Sequence, residues 1–266
     1  MVKGRVLVIA GSDSGGGAGI QGDVKTITSL GGYASTAITA LTAQNTKTVS
    51  AIHSIPIDFI NEQIKIVLTD LGADCIKIGM LNTKEVIEGV VEAIERYGKG
   101  IPIVSDTVMI AKGGAKLLAD DAVESMKNLI LPMSTLITPN IPEAEVLTGR
   151  QISDFIEAGE AGKELLNYGS HAVLIKGGHL ESSEIVDQLY IKGKSFKFES
   201  KRIETNNTHG TGCSLASACA IGMAQGLDIR AAVESAQKYV YEAIKTAPGF
   251  GFGFGPLNHC HTINEF

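Results

Sequence analysis

The chain has 266 residues, 44% of them apolar and 20% charged, with a formal net charge of -6. That length can bury a sizeable core, as one large α/β domain or two small ones, and the composition is that of a packed globule rather than a disordered segment. The acidic balance and the lack of Lys/Arg runs exclude nucleic acid or an anionic membrane as main partner, and no apolar run reaches the roughly 18 residues of a membrane helix. Cys75, Cys213, Cys219 and Cys260 show no paired metal-ligand spacing. With no secretory leader in view, they read as reduced thiols of a cytoplasmic protein.

Residues 5–10 (RVLVIA) form a short, nearly all-apolar run, which predicts a strand buried on both faces of a parallel sheet. A glycine-rich loop follows at 11–19, then a helix over about 20–30. These glycines fit neither the dinucleotide fingerprint nor the P-loop, which would end in Gly-Lys-Ser/Thr. Asp13 and Asp23 are poor neighbours for a phosphate, so the loop is expected to close over a neutral or cationic small molecule. Residues 33–42 are β-branched and small, and lead into Gln44 and Asn45. A carboxamide at a strand end offers a donor and an acceptor in one plane, which suits a heteroaromatic ring edge; an ordinary polar turn has the same look. Residues 49–55 alternate as a half-exposed strand does, with His53 a surface or a satisfied histidine.

From residue 57 the rhythm is regular. Helices are predicted over about 57–71, 83–96, 114–129, 142–147 and 154–168, with Thr83 capping the second and the glycines at 98–100 closing it. Strands fall at 75–78, 101–105, 135–137 and 172–175. Such alternation argues for right-handed βαβ units in a three-layer, doubly wound, mostly parallel sheet with helices on both faces. Ligands bind such sheets at the carboxyl ends of the strands. Asp106, Asn140 and Lys176 each fall at a predicted strand end, on the same rim as Gln44 and the loop at Gly11. Residues 185–191 and 195–199 flank Lys-Gly-Lys and predict a small antiparallel edge. No repeat, linker or composition shift appears, so residues 1–266 are expected to form a single domain.

The stretch 206–213 (Asn-Asn-Thr-His-Gly-Thr-Gly-Cys) precedes a small-residue run that reads as a buried helix. A glycine-rich turn feeding a helix leaves unpaired N–H groups at the positive end of its dipole, a ready anion site. A glycine loop capping a core helix reads the same way. Cys213, at the first helical turn, is expected to ionise more easily than a buried thiol. An amphipathic helix follows over about 229–246. The Gly-Phe alternation at 249–255 is either a mobile flap or a loop pinned by its three phenylalanines.

The motifs Gly-Ser-Asp…Gly-Gly-Ala-Gly-Ile-Gln at 11–21, Thr-Ala-Gln-Asn-Thr at 42–46, Lys-Ile-Gly-Met-Leu at 77–81 and Ala-Lys-Gly-Gly at 111–114 occur together. So do Ile-Thr-Pro-Asn-x-Pro-Glu-Ala at 137–144, Lys-Gly-Gly-His at 176–179, Asn-Thr-His-Gly-Thr-Gly-Cys at 207–213 and Pro-Leu-Asn-His at 256–259. From residue 6 to about 261 the chain resembles the hydroxymethylpyrimidine/phosphomethylpyrimidine kinases of thiamine biosynthesis, within the ribokinase-like superfamily. The resemblance implies ATP and Mg2+ as cofactors, an aminopyrimidine as substrate and a homodimer. It implies that the N–H groups of Gly210, Thr211, Gly212 and Cys213 hold the transferred phosphoryl group, with Cys213 as base. Lys176 would reach the nucleotide phosphates. Lys112 would be a second phosphate contact, or simply a solvated loop lysine. Asp106, Asn140 and Glu143 would hold Mg2+, mostly through water. Gly11, Asp23, Gln44 and Met80 would line the pyrimidine pocket. The family usually has Pro after the strand-end Asp, where this chain has Thr107, and Asp-Pro-Ser-Gly-Gly where this chain has Asp-Ser-Gly-Gly-Gly. A pyridoxal kinase of the same branch is the rival implied activity. A non-catalytic vitamin- or sugar-binding protein would need the rim residues but not the acids or the glycine hole.

Overall fold

The computed structural model describes residues 2–111, 114, 117–119, 121–180 and 184–263. Among these the strands are β1 (Arg5–Asp13), β2 (Tyr33–Gln44), β3 (Val49–Ser54), β4 (Cys75–Ile78), β5 (Ile103–Ser105), β6 (Leu136–Ile137), β7 (Ala172–Ile175), β8 (Glu184–Ile191) and β9 (Lys194–Lys201). They make one sheet in the order β3-β2-β1-β4-β5-β6-β7-β8-β9. From β2 to β7 all pairs are parallel; β3 at one edge and β8–β9 at the other are antiparallel. Gly193, at φ 77°, supplies the left-handed residue that the β8–β9 turn needs.

Alternation along the strands builds two cores. Leu7, Ile9, Ile76 and Ile78 face α2 (Ile57–Asp70), α3 (Lys84–Tyr97), α6 (Ile141–Thr148) and α7 (Phe155–Leu166). Val6, Val8, Ala10 and Cys75 face α1 (Gly19–Ser29), α8 (Thr211–Ala224) and α9 (Ile229–Lys245). The period of two places Lys77, fully buried, on the second side. No helix among the described residues is long and apolar enough to cross a membrane.

Two boundaries differ from the sequence expectation. The helix expected from residue 114 begins at 122: Gly114 stands at φ 84°, outside helical space. The helical segment then runs as α4 (Ala122–Ser125), a π-turn at Met126–Ile130 and α5 (Leu131–Met133). β1 continues past Ala10 to Asp13, its register on β2 shifting between Ala10 and Ser12. That shift is where the chain leaves the regular ladder to start the glycine loop.

A C-terminal 3-10 turn, His259–Thr262, fastens onto α1 and α9. The Ser29 hydroxyl donates to the His259 carbonyl at 2.6 Å, and Tyr239 Oη lies 2.9 Å from His259 Nδ1. Burial, helped by the charge of Lys25, pushes the His259 imidazole down from 6.5 to about 4. The unfolded chain therefore binds the proton at a higher pH than the folded one does. Between those two values the unfolded state holds more protons, so acid favours unfolding. The melting temperature is expected to fall as pH is lowered from about 6.5 to about 4, and His259→Gln should flatten that slope. An unaltered slope in the variant would remove His259 as its cause.

Candidate active site

The chain runs outward from β1 to β2 and β3, then crosses back to β4 on the other flank of β1. That reversal opens a crevice at the carboxyl ends of the strands. A cavity of about 780 Å³ occupies it and extends over β5–β8 to α9. Gly11 after the regular part of β1, Gln44 ending β2, Met80 after β4, Asp106 after β5, Asn140 after β6 and Lys176 after β7 all line it. Glu143 and Cys213 line it too. The strand-end logic of the sequence thus brings these residues to one wall.

The cavity floor is the start of α8. Gly210 is its N-cap at φ 86°, without a capping side chain, and a Cβ there would collide with the Gly17 carbonyl. The Thr211 hydroxyl donates to the Thr208 carbonyl at 2.8 Å. The Thr211 N–H also donates to the Thr208 carbonyl, at 3.3 Å, while no side chain caps the helix and no acidic residue lies in its first turn, which leaves the N–H groups of Gly212 and Cys213 for an anion. A Cβ built on Gly212 would stand 3.2 Å from Lys176 Nζ and 3.7 Å from both Asp106 carboxylate oxygens. A cation and an acid therefore converge on the helix N-terminus, and a Cβ at Gly212 would crowd the Lys176 ammonium.

Lys176 Nζ lies 3.1 Å from Asp106 Oδ1 and 4.0 Å from Glu143 Oε2. Burial pushes the Asp106 carboxyl up, but Lys176 and Lys77 outweigh it and hold it below the ordinary carboxylate range. Glu143 goes the other way: burial and the Asp106 charge, against Lys176, bring it up to about 7. The Glu143 carboxylate accepts from the Asn140 N–H at 2.9 Å, while Asn140 Oδ1 accepts from the Glu143 N–H at 2.9 Å. This capping box at the start of α6 uses the Asn140 side chain to hold Glu143 in place. Thr107 is fully buried and donates to Glu143 Oε2 at 3.1 Å. A proline here would lack that hydroxyl, so the departure from the family pattern adds a support for the acid.

Asp106 and Glu143 offer only hard oxygen atoms, the donor type Mg2+ takes. Among the described residues no three His, Cys, Asp or Glu side chains gather as a direct cage. Two carboxylates beside Lys176 fit a hydrated Mg2+ held through its waters.

Two expectations need correction. Asp23 does not line the pocket. It is fully buried on α1, both of its oxygens binding Lys77 Nζ at 3.0 and 2.9 Å, with Ser217 donating to Oδ1 at 2.7 Å. Burial lowers the Lys77 pKa, and the Asp23 charge reverses this and raises it; on Asp23 burial outweighs Lys77 and raises the carboxyl. Cys213 is not an easily ionised thiol either. Burial pushes it up to about 12; Lys77 pulls against that, and Asp106 and Asp23 add to it. The helix terminus was legible in the sequence, but not the acids gathered behind it. Lys112 lies outside the described residues.

Sequence reasoning missed Asp13 and His209 as a pair. Asp13 accepts N–H groups from Gly15, Gly17 and Ala18 at 2.8, 3.0 and 2.9 Å, and lies 2.8 Å from His209 Nε2. The first glycine loop thus spends its amides on its own carboxylate, which agrees with its reading as a non-phosphate loop. Burial pushes the Asp13 carboxyl up, yet His209 and these N–H groups hold it below its usual range. The 249–255 stretch is pinned through its backbone. The Phe254 N–H donates to the Thr46 carbonyl at 2.8 Å and the Gly255 N–H to Asn206 at 3.2 Å. Phe252 meanwhile is 93% exposed.

This geometry has relatives. The chain is 48% identical over 97% of its length to the thiamine biosynthesis bifunctional protein ThiED of Geobacter sulfurreducens, of which it spans about half (52%). It is 45% identical to the hydroxymethylpyrimidine/phosphomethylpyrimidine kinase of Bacillus subtilis, over 96% of this chain and 94% of that one. Among solved structures, the ADP complex of Bacillus subtilis pyridoxal kinase superposes with a TM-score of 0.90 at 32% identity, covering 97% and 98% of the two chains. A family model described as phosphomethylpyrimidine kinase matches residues 13–258, and the chain belongs to that family.

Proposed function

We propose that the protein transfers the γ-phosphoryl group of ATP to the hydroxymethyl oxygen of 4-amino-5-hydroxymethyl-2-methylpyrimidine, and then a second phosphoryl group to the monophosphate, in thiamine biosynthesis. The observation that carries this is one continuous cavity in which Lys176, Asp106 and Glu143 meet the bare N-terminus of α8, beside Gln44 and Met80. Phosphoryl transfer through a loose transition state asks for alignment and charge neutralisation more than covalent help. The N–H groups of Gly212 and Cys213 in the first turn of α8 receive the equatorial oxygens of the group in flight, and Lys176 follows its charge as a mobile point cation. Asp106 and Glu143 would hold Mg2+ through its waters, with Asn140 fixing Glu143, and the bound ion would supply neutralisation of phosphate charge. Gln44 reads the ring nitrogen and amino group together, and the Met80 thioether packs on the ring face. Cys213 meets the hydroxymethyl group as a protonated thiol, because burial outweighs the pull of Lys77; it lines the site without taking the hydroxyl proton, and a loose transition state asks little of a general base. Exposed Leu41 and Ile52 on the β2–β3 edge support a homodimer, and four free cysteines suit the cytoplasm.

The resemblance to pyridoxal kinase keeps that activity as the second reading. A coupled ATP-turnover assay separates the two. Pyridoxal has no amino group to pair with Gln44, and a polar site that loses its partner costs about 1–3 kcal/mol, or roughly tenfold to a hundredfold. The aminopyrimidine is expected to be preferred in kcat/KM by at least about tenfold, and Gln44→Leu should hurt it far more than pyridoxal. Faster turnover of pyridoxal by the unmodified enzyme would overturn the reading.

A further inference from the structure

Asp187, on β8, is a carboxylate only 9% exposed that lines the cavity, and the transfer chemistry gives it no role. Its two oxygens go to two different elements. Oδ1 accepts the Gly177 N–H at 2.8 Å, and Oδ2 accepts from Gln237 Nε2 on α9, also at 2.8 Å. Gly177 opens the short 3-10 turn Gly177–His179 beyond the end of β7, so its N–H has no partner inside that turn. The β8 carboxylate supplies the acceptor instead. The turn lies directly on that strand, since a Cβ on Gly177 would collide with the Val186 carbonyl. Burial pushes the Asp187 carboxyl above its ordinary range, against the pull of the two donors and of Lys176. The next residue on the same face, Leu189, is plain core. What an acid adds at 187 is therefore acceptance of these two donors.

We propose that Asp187, braced by Gln237, is a positioning residue that sets the aim of Lys176 by anchoring the Gly177 N–H one residue beyond it. Lys176 sits between two backbone anchors: its own N–H donates to the Pro139 carbonyl at 2.9 Å, and the next N–H is held by Asp187. Arg202 grips the rest of the turn, its guanidinium donating to the Gly178 and Leu180 carbonyls at 3.1 and 2.7 Å. Fixing the peptide planes on both sides of the Lys176 Cα fixes the direction in which its side chain leaves. That direction is toward the first turn of α8, where Nζ stands 3.2 Å from the position of a Cβ on Gly212. A flexible ammonium stem needs such a fixed start, because a misplacement of about 1 Å can cost about 100-fold in rate. Gln237 belongs to α9, whose Val240, Tyr241 and Ile244 also line the cavity, so that wall and the lysine share one brace.

This inference rests on Lys176 meeting the nucleotide phosphates, as proposed above, and its test separates the two. Asp187→Leu is expected to raise the KM for ATP about tenfold, and the dissociation constant of ADP, measured by calorimetry without the pyrimidine, by about as much. The aminopyrimidine should still bind within about twofold of the unmodified protein. Asp187→Asn keeps an oxygen for the Gly177 N–H, and Gln237 can turn its own amide oxygen to meet the new NH2 group. That variant should recover both constants to within about threefold. In the Lys176→Ala background the effect of Asp187→Leu on ADP binding should vanish, because no ammonium is left to aim. An additive loss there, or a failure of Asp187→Asn to recover, would overturn the positioning role while leaving the kinase assignment standing. ADP binding unchanged by Lys176→Ala alone would instead sink the Lys176 assignment, and the aim with it. If Asp187→Leu does not fold, as judged by its melting curve, Gln237→Leu removes the brace alone and should raise the same two constants about threefold; unchanged constants there overturn the proposal.

Discussion

Lys77→Met is expected to cost about 3–5 kcal/mol of folding stability, the penalty of leaving one member of a buried ion pair without its partner. Against a typical total of about 5–15 kcal/mol this is a large fraction. Lys77 and Asp23 are both fully buried between the sheet and α1 and α8, and both Asp23 oxygens bind the ammonium. Ser217 supplies one hydroxyl to Asp23, too little to replace a cation. The doubly substituted Lys77→Met, Asp23→Leu protein should recover most of the loss, since two apolar side chains leave no charge behind. It should not recover the chemistry of Cys213. Cys213 and Ser217 lie one turn apart on α8, and Lys77 is the cation that pulls the Cys213 thiol down. The refolded double variant should therefore alkylate more slowly at Cys213 than the unmodified protein. Urea unfolding measures the first effect and iodoacetamide kinetics the second. A loss below about 1 kcal/mol in Lys77→Met would mean that the pair is not charged in the folded protein.

What the sequence disclosed follows from which interactions are local. Buried parallel strands announce themselves as apolar runs at 5–10, 75–78 and 172–175, and the structure places β1, β4 and β7 there. Once the alternation of strands and helices implied a doubly wound sheet, each residue just past a strand fell on the binding rim by topology alone. That is why Asp106, Asn140 and Lys176 were legible. Asp23 was not, because whether a helical carboxylate faces ligand or core depends on what stands opposite, and here Lys77 stands opposite from a strand 54 residues away. A lysine inside the short strand CIKI was the available signal: an apolar strand buried on both faces tolerates a charge only with a partner. The Asp13–His209 pair spans 196 residues and leaves no periodic trace. The 114–129 helix failed for a local reason, since Gly114 at φ 84° cannot start a helix there. Cys213 failed for an electrostatic one: the helix dipole that favours a thiolate is a short-range effect, and burial beside Asp106 and Asp23 outweighs it.

Lys176→Ala is expected to lower kcat about 10²–10³-fold and raise the ATP requirement, the scale of losing one preorganised group at developing charge. The side chain leaves the end of β7 and places Nζ 3.2 Å from the position that a Cβ on Gly212 would take, directly over the first turn of α8. A phosphoryl group held by that turn would face Lys176 at contact range. In the cavity this charge is screened little by water, because the ammonium and both neighbouring acids are largely removed from solvent. The substitution also takes from Asp106 its 3.1 Å cation, so whatever charge that carboxyl keeps faces the nucleotide phosphates unbalanced. Gln44 bonds to Thr42 and Lys176 to Asp106, with no partner shared, and aminopyrimidine binding measured by calorimetry should stay within about twofold of the unmodified protein. A fold that had collapsed would lose both. Lys176→Arg keeps the charge but exchanges a point cation for a planar fork, and should recover only part of the rate. If Lys176→Ala keeps its rate and its ATP requirement, Lys176 does not reach the phosphates, and the charge at the mouth of α8 serves only to balance Asp106.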